Sequence, residues 1–499
     1  MELRAVERPC VAREVTSLSD RARVLLIFTV GLIVLRGIVA FVTPLSYDET
    51  YYWLWSKHLA AGYFDHPPAI AFVIRAGTAL LGDTSAGVRA GALVLSAAAT
   101  WAVWRTAAIL LKNDSAAALA ALFFNLMPMI GVESLVATPD APEIASAAFV
   151  LLFLAKVAEM GRGEWWIAAG IAAGCALLSK YTGFFLGGGI LVWLVLAKRE
   201  RRWFLSFWPY LGCAIALLIF VPVVLWNAEH DWISFARQFG RVTTGGLTLR
   251  FLGEFLGTQL GLATPFIAIL GVAGFVFILR TRDRCFENLT LIAAIMVPGI
   301  AYFLGHSLHA SVQGNWPSFL YPSLAIAAVA SSSFAAGVVV RISSRLAVPV
   351  AAMMTALVYA QALWGIVPLP RDPAARLLAF GFQPVATEIE KMRAETGAAA
   401  ILTTGYAPTG WLAFYLPTHP PIIQMNERER WLNEPVPPLE MFAGPLLYVT
   451  DVRNDKSAEM AAKFTRVEPL ARIARRVNGY VMEEYAVYRV ESLRGEPFN

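Results

Sequence analysis

Residues 24–53 read VLLIFTVGLIVLRGIVAFVTPLSYDETYYW, an apolar run that ends in a polar and aromatic segment. The run from Val24 to Leu45 is long enough to cross a hydrocarbon core of about 30 Å as a helix. It is also too long for the core of a signal peptide. The segment Ser46–Trp53 then sets two acids among four aromatic side chains. The sequence therefore predicts an uncleaved first span followed by a loop rich in polar chemistry.

The composition of the whole chain indicates a polytopic α-helical membrane protein. Of its 499 residues, 57% are hydrophobic and 15% are charged, and the mean hydropathy is +0.58. Soluble domains carry about 25% charged residues. Hydropathy predicts about 11 to 13 transmembrane helices, with 11 of them near residues 24–45, 88–111, 115–131, 140–158, 165–180, 182–197, 203–226, 256–279, 287–305, 317–340 and 346–366.

Basic residues are divided unequally between the two sets of loops. The set that includes the N-terminal tail, residues 1–23, holds sixteen lysines and arginines, and the other set holds six. Because cytoplasmic loops are enriched in basic residues, we expect the N-terminus inside and, after 11 spans, the C-terminus outside. The long loops near residues 46–87 and 227–255 then face outwards. The net charge of +5 is accounted for in the same way and gives little support for nucleic acid.

The composition changes after residue 366. Residues 367–499 contain more charge, proline-rich turns and short β-like runs such as Leu446–Val449. This pattern predicts a small soluble α/β domain on the outer face, after a membrane domain that covers residues 24–366. The four cysteines have no spacing that indicates a disulfide framework or a zinc site.

Two outer loops each present carboxylates at the end of a span. Asp48 and Glu49 follow the first span, and Asp140 begins the fourth. These acids could simply cap the helices that follow them. A carboxylate at the mouth of a helix bundle could equally remove a proton from a hydroxyl group. We therefore predict Asp48, Glu49 and Asp140 as the catalytic residues.

Four basic side chains are candidates for binding a phosphate group. Lys180 interrupts two apolar runs, and an ionisable group at such a depth is costly unless it has a function. Snorkelling to the interface is the alternative. Arg237 and Arg241 are one helical turn apart in the fourth outer loop, and His66 lies in the first. Arg36, within the first span, is expected to pair with a carboxylate of the bundle.

The polar and aromatic residues near these groups complete the predicted site. His306 and His309 are spaced to share a metal ion, but no third ligand is apparent, so a divalent metal is not indicated. The residues that we expect to line the substrate site are Tyr51, Tyr52, Tyr63, Asp65, Tyr181, His309, Asn315 and Trp316.

No Walker-type or Rossmann-type phosphate loop is present in the sequence. An enzyme acting outside the membrane would then need an activated substrate delivered within the bilayer, and a sugar on a polyprenyl phosphate would serve. A transporter or flippase would favour ionisable groups near the bilayer midplane, whereas these acids cluster at the outer ends of spans. A non-catalytic membrane scaffold is the third interpretation, after an enzyme and a transporter.

Four motifs resemble bacterial family 39 glycosyltransferases. These enzymes have the GT-C fold and are related to protein O-mannosyltransferases and to the lipid A aminoarabinose transferase. The resemblance extends over residues 24–366 and rests on the motifs Ser46–Tyr52, Tyr63–Pro68, Thr138–Asp140 and Leu178–Gly183.

The resemblance implies a function in the bacterial inner membrane. An inverting transfer would move a sugar from a polyprenyl-phosphate donor to a periplasmic acceptor, with Asp48 as the catalytic acid of the first loop and Asp140 as the second acid. The aminoarabinose branch usually carries lysine, a phosphate contact, where this chain has His66. The expected acceptor is lipid A or lipopolysaccharide core and the expected sugar a uronic acid or a hexose. Protein O-mannosylation is the alternative.

Overall fold

The computed structural model describes residues 18–240, 246–281 and 284–498. The first part of this chain is helical. Its helices are α1 (Asp20–Val42), α2 (Tyr47–Lys57), α3 (Ala69–Leu81), α4 (Ser85–Leu111), α5 (Asp114–Leu126), α6 (Pro128–Glu133), α7 (Asp140–Met160), α8 (Trp165–Ser179), α9 (Phe184–Leu196), α10 (Trp208–Glu229), α11 (Ile233–Phe239), α12 (Arg250–Ala263), α13 (Pro265–Arg280), α14 (Thr290–Ser307), α15 (Tyr321–Phe334) and α16 (Val338–Trp364).

Six helices in the described ranges are long and apolar enough to cross a membrane, namely α1, α4, α7, α10, α14 with the turn before it, and α16. A seventh span is present if the bent pair α12 and α13 is counted as one. Five shorter apolar helices, among them α5, α8 and α15, fall below the length of a straight span.

Two of the predicted spans are interrupted in the structure. The span predicted at 256–279 is not one straight helix, because α12 and α13 meet at an angle of 106°. Pro265 begins α13, and Thr264 before it has φ 64°, which lies outside the right-handed helical region. The span predicted at 317–340 joins two separate helices, since α15 ends before Gly337, whose φ is 133°.

The chain after α16 forms a mixed α/β region. It contains α17 (Pro373–Leu377), α18 (Phe382–Thr396), α19 (Tyr406–Tyr415), α20 (Ser457–Lys463), β1 (Ile401–Thr403), β2 (Ile422–Gln424), β3 (Leu446–Asp451), β4 (Phe464–Val477) and β5 (Tyr480–Leu493). The strand order is β2-β1-β3-β5-β4. β1 pairs in parallel with β2 and β3, and β5 pairs antiparallel with β3 and β4.

This α/β region packs directly on the segment that follows α1. Helix α19 approaches α2 so closely that a Cβ atom on Gly410 would lie 2.6 Å from Oγ1 of Thr50. The Leu45 amide donates a hydrogen bond to the Tyr415 hydroxyl at 2.7 Å. The Asn433 amide donates to the Gly62 carbonyl at 2.9 Å. Residues beyond position 400 are therefore held against the first loop.

Arg36 is buried inside the bundle, but its partners are neutral. Its guanidinium donates to Ser96, Asn125 and Tyr359 at 2.9 to 3.2 Å. The expectation of a carboxylate partner is wrong, because hydroxyl and amide oxygens supply the acceptors that the buried cation needs.

Candidate active site

A buried ion pair fixes the start of α2. The Ser46 hydroxyl accepts the Glu49 amide, and the Glu49 carboxylate accepts the Ser46 amide at 2.8 Å, which forms a capping box. Both Glu49 oxygens also accept from Arg89, at 2.6 and 2.7 Å, and one accepts the Ala137 amide at 3.0 Å. The side chains of Glu49 and Arg89 are fully buried. Glu49 is not among the residues that line the large cavity next to α2, so its predicted catalytic role is corrected to a structural one.

Arg89 also ties α2 to the end of α1. Its remaining guanidinium hydrogens reach the carbonyl oxygens of Ala40, Thr43 and Pro44 at 2.7 to 2.9 Å. One buried arginine on α4 thus holds both sides of the turn between the first span and α2. These contacts hold the first turn of α2, which contains Asp48.

Asp48 faces a cavity of about 700 Å³. The cavity lies between α2, the loop after it, the junction of α8 and α9, α11, α14 and the α/β region. Its walls combine charged, polar and aromatic side chains, which are Asp48, Tyr51, Tyr52, Asp65, His66, Lys180, Tyr181, Thr182, Phe184, Phe185, Gln238, Phe239, Tyr302, Phe303, His306, Gln313, Asn315, Trp316, Tyr406 and Arg430.

Asp48 is half-buried and has one weak hydrogen-bond donor in the described chain, the Tyr406 hydroxyl at 3.4 Å. Burial and the nearby Asp65 charge raise the pKa of Asp48 to about 7. The Tyr406 hydrogen bond and the Arg430 charge act in the opposite direction. A carboxylate with a pKa near neutrality and spare acceptor capacity has the properties of a general base.

Asp65 joins three separate parts of the chain at the cavity wall. Its carboxylate accepts the Tyr51 hydroxyl at 3.0 Å and forms a close ion pair with Arg430 of the α/β region. Arg237 of α11 lies 3.8 Å away, and the neighbouring Gln238 donates to the Asp65 carbonyl at 2.5 Å. Asp65 therefore binds the first loop to α11 and to the C-terminal region.

Asp140 lies behind the cavity wall and is almost fully buried. It accepts the Lys180 ammonium at 2.9 Å, the Ser318 hydroxyl at 2.6 Å and the Asn315 amide at 2.9 Å. Three protein donors occupy its oxygens, so it is poorly placed to accept a substrate proton. The structure indicates that Asp140 positions Lys180 and Asn315, both of which line the cavity.

The other predicted site residues divide into two groups. Tyr63 lies outside the cavity, stacked on Trp55 with a ring separation of 4.1 Å, and its hydroxyl binds backbone groups. His309 is exposed, with Nδ1 against the Gly305 carbonyl, and Arg237 does not reach the wall. Arg241 lies outside the described residues. The cavity does bring together Tyr51, Tyr52, Asp65, His66, Lys180, Tyr181, Asn315 and Trp316.

Arg430 and Tyr406 are the principal site residues that sequence reasoning missed. Arg430 lies in the run Arg428–Trp431, which has the appearance of a solvated charged turn. Its side chain is only 14% exposed and also lies near the rings of Tyr51 and Tyr406. No local pattern connects it with Asp65, which is 365 positions away.

Within the described ranges, no group of three His, Cys, Asp or Glu side chains could hold a metal ion. The cationic groups on the cavity wall are instead Lys180 and Arg430, with His66 as a titratable neighbour. Such a wall suits an anionic ligand, in particular one that carries phosphate.

The fold of this chain is similar to that of a solved membrane protein, and part of its sequence matches a family of transferases. ArnT of Cupriavidus metallidurans, solved with bound undecaprenyl phosphate, aligns with a TM-score of 0.67 over 94% of this chain and 98% of ArnT, at 18% identity. The chain has the GT-C fold. Residues 65–226 match the family described as dolichyl-phosphate-mannose-protein mannosyltransferase. The resemblance that the sequence motifs indicated is thus confirmed.

Two curated relatives are named as sugar transferases. Lipid A galacturonosyltransferase RgtD of Rhizobium johnstonii is 25% identical over 62% of this chain and 66% of its own length. Undecaprenyl phosphate-alpha-4-amino-4-deoxy-L-arabinose arabinosyl transferase of Edwardsiella ictaluri is 28% identical over 38% of this chain and 36% of its own length. In both cases the match covers less than two thirds of the relative.

Proposed function

We propose that this protein is an inverting glycosyltransferase that moves a sugar from a polyprenyl-phosphate donor to an envelope acceptor. The observation that carries the proposal is the pairing of Asp48, a carboxylate with spare acceptor capacity, with cations in one cavity. A base and a phosphate-binding group are the two functions that such a transfer requires.

The proposed reaction is a single displacement. Asp48 accepts the proton of the acceptor hydroxyl, while the oxygen of that hydroxyl forms a bond to the anomeric carbon of the donor sugar. The bond between that carbon and the phosphate oxygen breaks, and the electron pair leaves with the lipid phosphate. Attack from the face opposite the leaving group inverts the anomeric configuration.

Lys180 is the residue best placed to stabilise the departing phosphate. Its ammonium has three hydrogens, and one of them binds Asp140 at 2.9 Å. The others are available to phosphate oxygens at the cavity wall. Asp140 keeps the lysine charged and oriented, and Asn315, held by the same carboxylate, adds a neutral donor. His66 is a second candidate contact to the phosphate.

The named relatives support a donor and an acceptor for this proposal. ArnT was solved with undecaprenyl phosphate, and RgtD is a lipid A galacturonosyltransferase. We infer a polyprenyl-phosphate-linked uronic acid or hexose as donor, and lipid A or lipopolysaccharide core as acceptor. The protein would cross the inner membrane with 11 to 13 helices, and the cavity and residues 367–499 would face the periplasm.

A deletion strain complemented with wild type, Asp48→Asn or Asp20→Asn tests the proposal. Asp20 is an exposed acid at the start of α1 and serves as the control. Mass spectrometry should show that lipid A or core loses one sugar in the deletion and Asp48→Asn strains alone. Loss of hexose from secreted proteins instead would establish protein O-mannosylation, which the family match at residues 65–226 favours. No change in any of these molecules would refute both functions.

A further inference from the structure

Helix α2 separates the catalytic cavity from a second cavity of about 420 Å³. Residues of a helix are about 100° apart, so Asp48, Tyr51 and Tyr52 share one face and line the catalytic cavity. Trp53 and Leu54 lie on the other side and line the second cavity. The proposed reaction uses none of the residues on this second wall.

The remaining walls come from the α3–α4 connection and the α/β region. They consist of Asp83, Thr409, Ala413, His419, Pro420, Ile422 and Glu434. Asp83 is more than 300 positions before the other residues of this set, Thr409 to Glu434. The cavity therefore exists only where the C-terminal region packs on the N-terminal part of the chain. Its volume lies within the range of roughly 300 to 1,000 Å³ that is usual for small-molecule sites.

Asp83 lines this cavity and has one carboxylate oxygen without a donor in the described chain. The Trp53 indole and the Lys57 ammonium donate to it at 2.7 and 2.5 Å, and both bind Oδ1. Oδ2 has no donor in the described part of the chain. The Asp83 side chain is 46% exposed; its two donors orient the carboxylate through Oδ1, and Oδ2 keeps acceptor capacity.

Glu434 is the second carboxylate of the cavity, and no described side chain or backbone amide donates to it. Burial raises its pKa to about 7, against the opposing charge of Arg428. A carboxylate in a partly dehydrated wall without a donor is costly in the ionised form. A cationic ligand would supply the missing partner.

His419 contributes a third acceptor from a strained backbone. Its φ is 45°, in the left-handed region that residues other than glycine rarely adopt. Ring Nδ1 lies 3.1 Å from the Ala413 carbonyl, which can only accept, so Nδ1 carries the hydrogen. In the neutral ring Nε2 is then an acceptor.

The cavity wall therefore includes carboxylate oxygens of Asp83 and Glu434 and, where the ring is neutral, an acceptor nitrogen of His419. A complementary ligand carries several hydroxyl donors and one ammonium group. We propose that this second cavity binds an amino-sugar residue, with its ammonium at Glu434 and its hydroxyls at Asp83 and His419. If the proposed function holds, this residue is an amine-bearing part of the acceptor, and in that respect the inference rests on the proposed function.

Binding of free glucosamine to the full-length protein in detergent micelles tests the inference, by saturation-transfer NMR or calorimetry. N-acetylglucosamine and glucose, which lack the ammonium, should bind at least about fivefold more weakly. Glu434→Gln keeps the size of the side chain and should weaken glucosamine binding about tenfold, because hydrogen bonds to charged groups contribute roughly 1.5 to 3 kcal/mol. Glu440→Gln changes an exposed acid nearby and should have no effect.

Equal affinity of Glu434→Gln and wild type would overturn the inference, as would the absence of glucosamine binding. Binding lost in Asp48→Asn but kept in Glu434→Gln would place the sugar in the catalytic cavity and would also overturn it. The assay contains no lipid-linked donor. Binding with the expected pattern in a protein that transfers no sugar would therefore refute the proposed function alone.

Discussion

Replacement of Arg430 by glutamine should move the pH dependence of sugar transfer to higher pH. Arg430 is one of the two groups that hold the pKa of Asp48 down, and it also neutralises Asp65, whose charge holds that pKa up. Loss of the guanidinium removes a positive charge that lowers the pKa of Asp48. It also leaves the negative charge of Asp65, which raises that pKa, without its Arg430 partner. Both consequences favour the protonated form of Asp48, which cannot accept a proton from the acceptor.

The size of the effect follows from the pKa of Asp48, which is about 7. At pH 7 about half of the Asp48 side chains are ionised, and at pH 6 about one tenth. A nearby charge shifts a pKa by about 1 to 3. A rise of about 1 in Arg430→Gln would leave about a tenth of Asp48 ionised at pH 7. We therefore expect kcat/KM to fall about fivefold at pH 7 and to recover to within about twofold of wild type at pH 9.

The assay is transfer from a radiolabelled polyprenyl-phosphate sugar by purified protein in proteoliposomes between pH 5.5 and 9.5. Arg466→Gln is the matched control, because the Arg466 side chain is 48% exposed on β4 and lines neither the catalytic nor the second cavity. Arg430→Lys should restore part of the wild-type profile. A rate in Arg430→Gln that is reduced by the same factor at every pH would refute the electrostatic argument and would indicate a packing role.

Three stability measurements test other parts of the structure. Arg89→Met leaves Glu49 without a cationic partner in the interior and should cost about 3 to 5 kcal/mol of the free energy of unfolding; an unchanged melting temperature would contradict this. Gly410→Ala forces α19 away from Thr50 and should cost about 1 to 3 kcal/mol, which thermal unfolding would reveal. Asp48 has a folded pKa above its unfolded value of 3.8, so its stability contribution is present below that pH and is lost as the pH rises to about 7. Asp48→Asn should thus melt above wild type at pH 8 but not at pH 4, and equal melting at both would contradict the raised pKa.

The sequence was sufficient for the fold class and for much of the cavity wall. Long apolar runs predict spans because a helix in lipid must satisfy its own backbone hydrogen bonds. Asp48, His66, Lys180 and Asn315 could be predicted since each combines polar chemistry with a position at the end of an apolar run. Hydropathy did not reveal the 106° bend at Thr264, because it is averaged over a window of many residues and does not depend on the backbone angle of any one of them.

The roles of individual acids could not be predicted from the sequence. Asp48 and Glu49 are adjacent and chemically alike, and only the position of Arg89 on another helix decides which of them faces the cavity. The oxygens of Asp140 are likewise occupied by donors from distant parts of the chain, among them Ser318, 178 positions later. Contacts over such distances leave no periodicity in the local sequence.

The position of Arg430 and Tyr406 in the cavity wall has a consequence for the biosynthesis of the protein. A ribosome that has made the first sixteen helices has produced Asp48 and Lys180, but the wall between them is still incomplete. The chain acquires its full cavity only after residue 430 has been made and has folded back on the first loop. We expect a membrane-inserted fragment that ends near residue 370 to be inactive, so that folding of the α/β region onto the first loop, rather than insertion of the helices, marks the onset of activity.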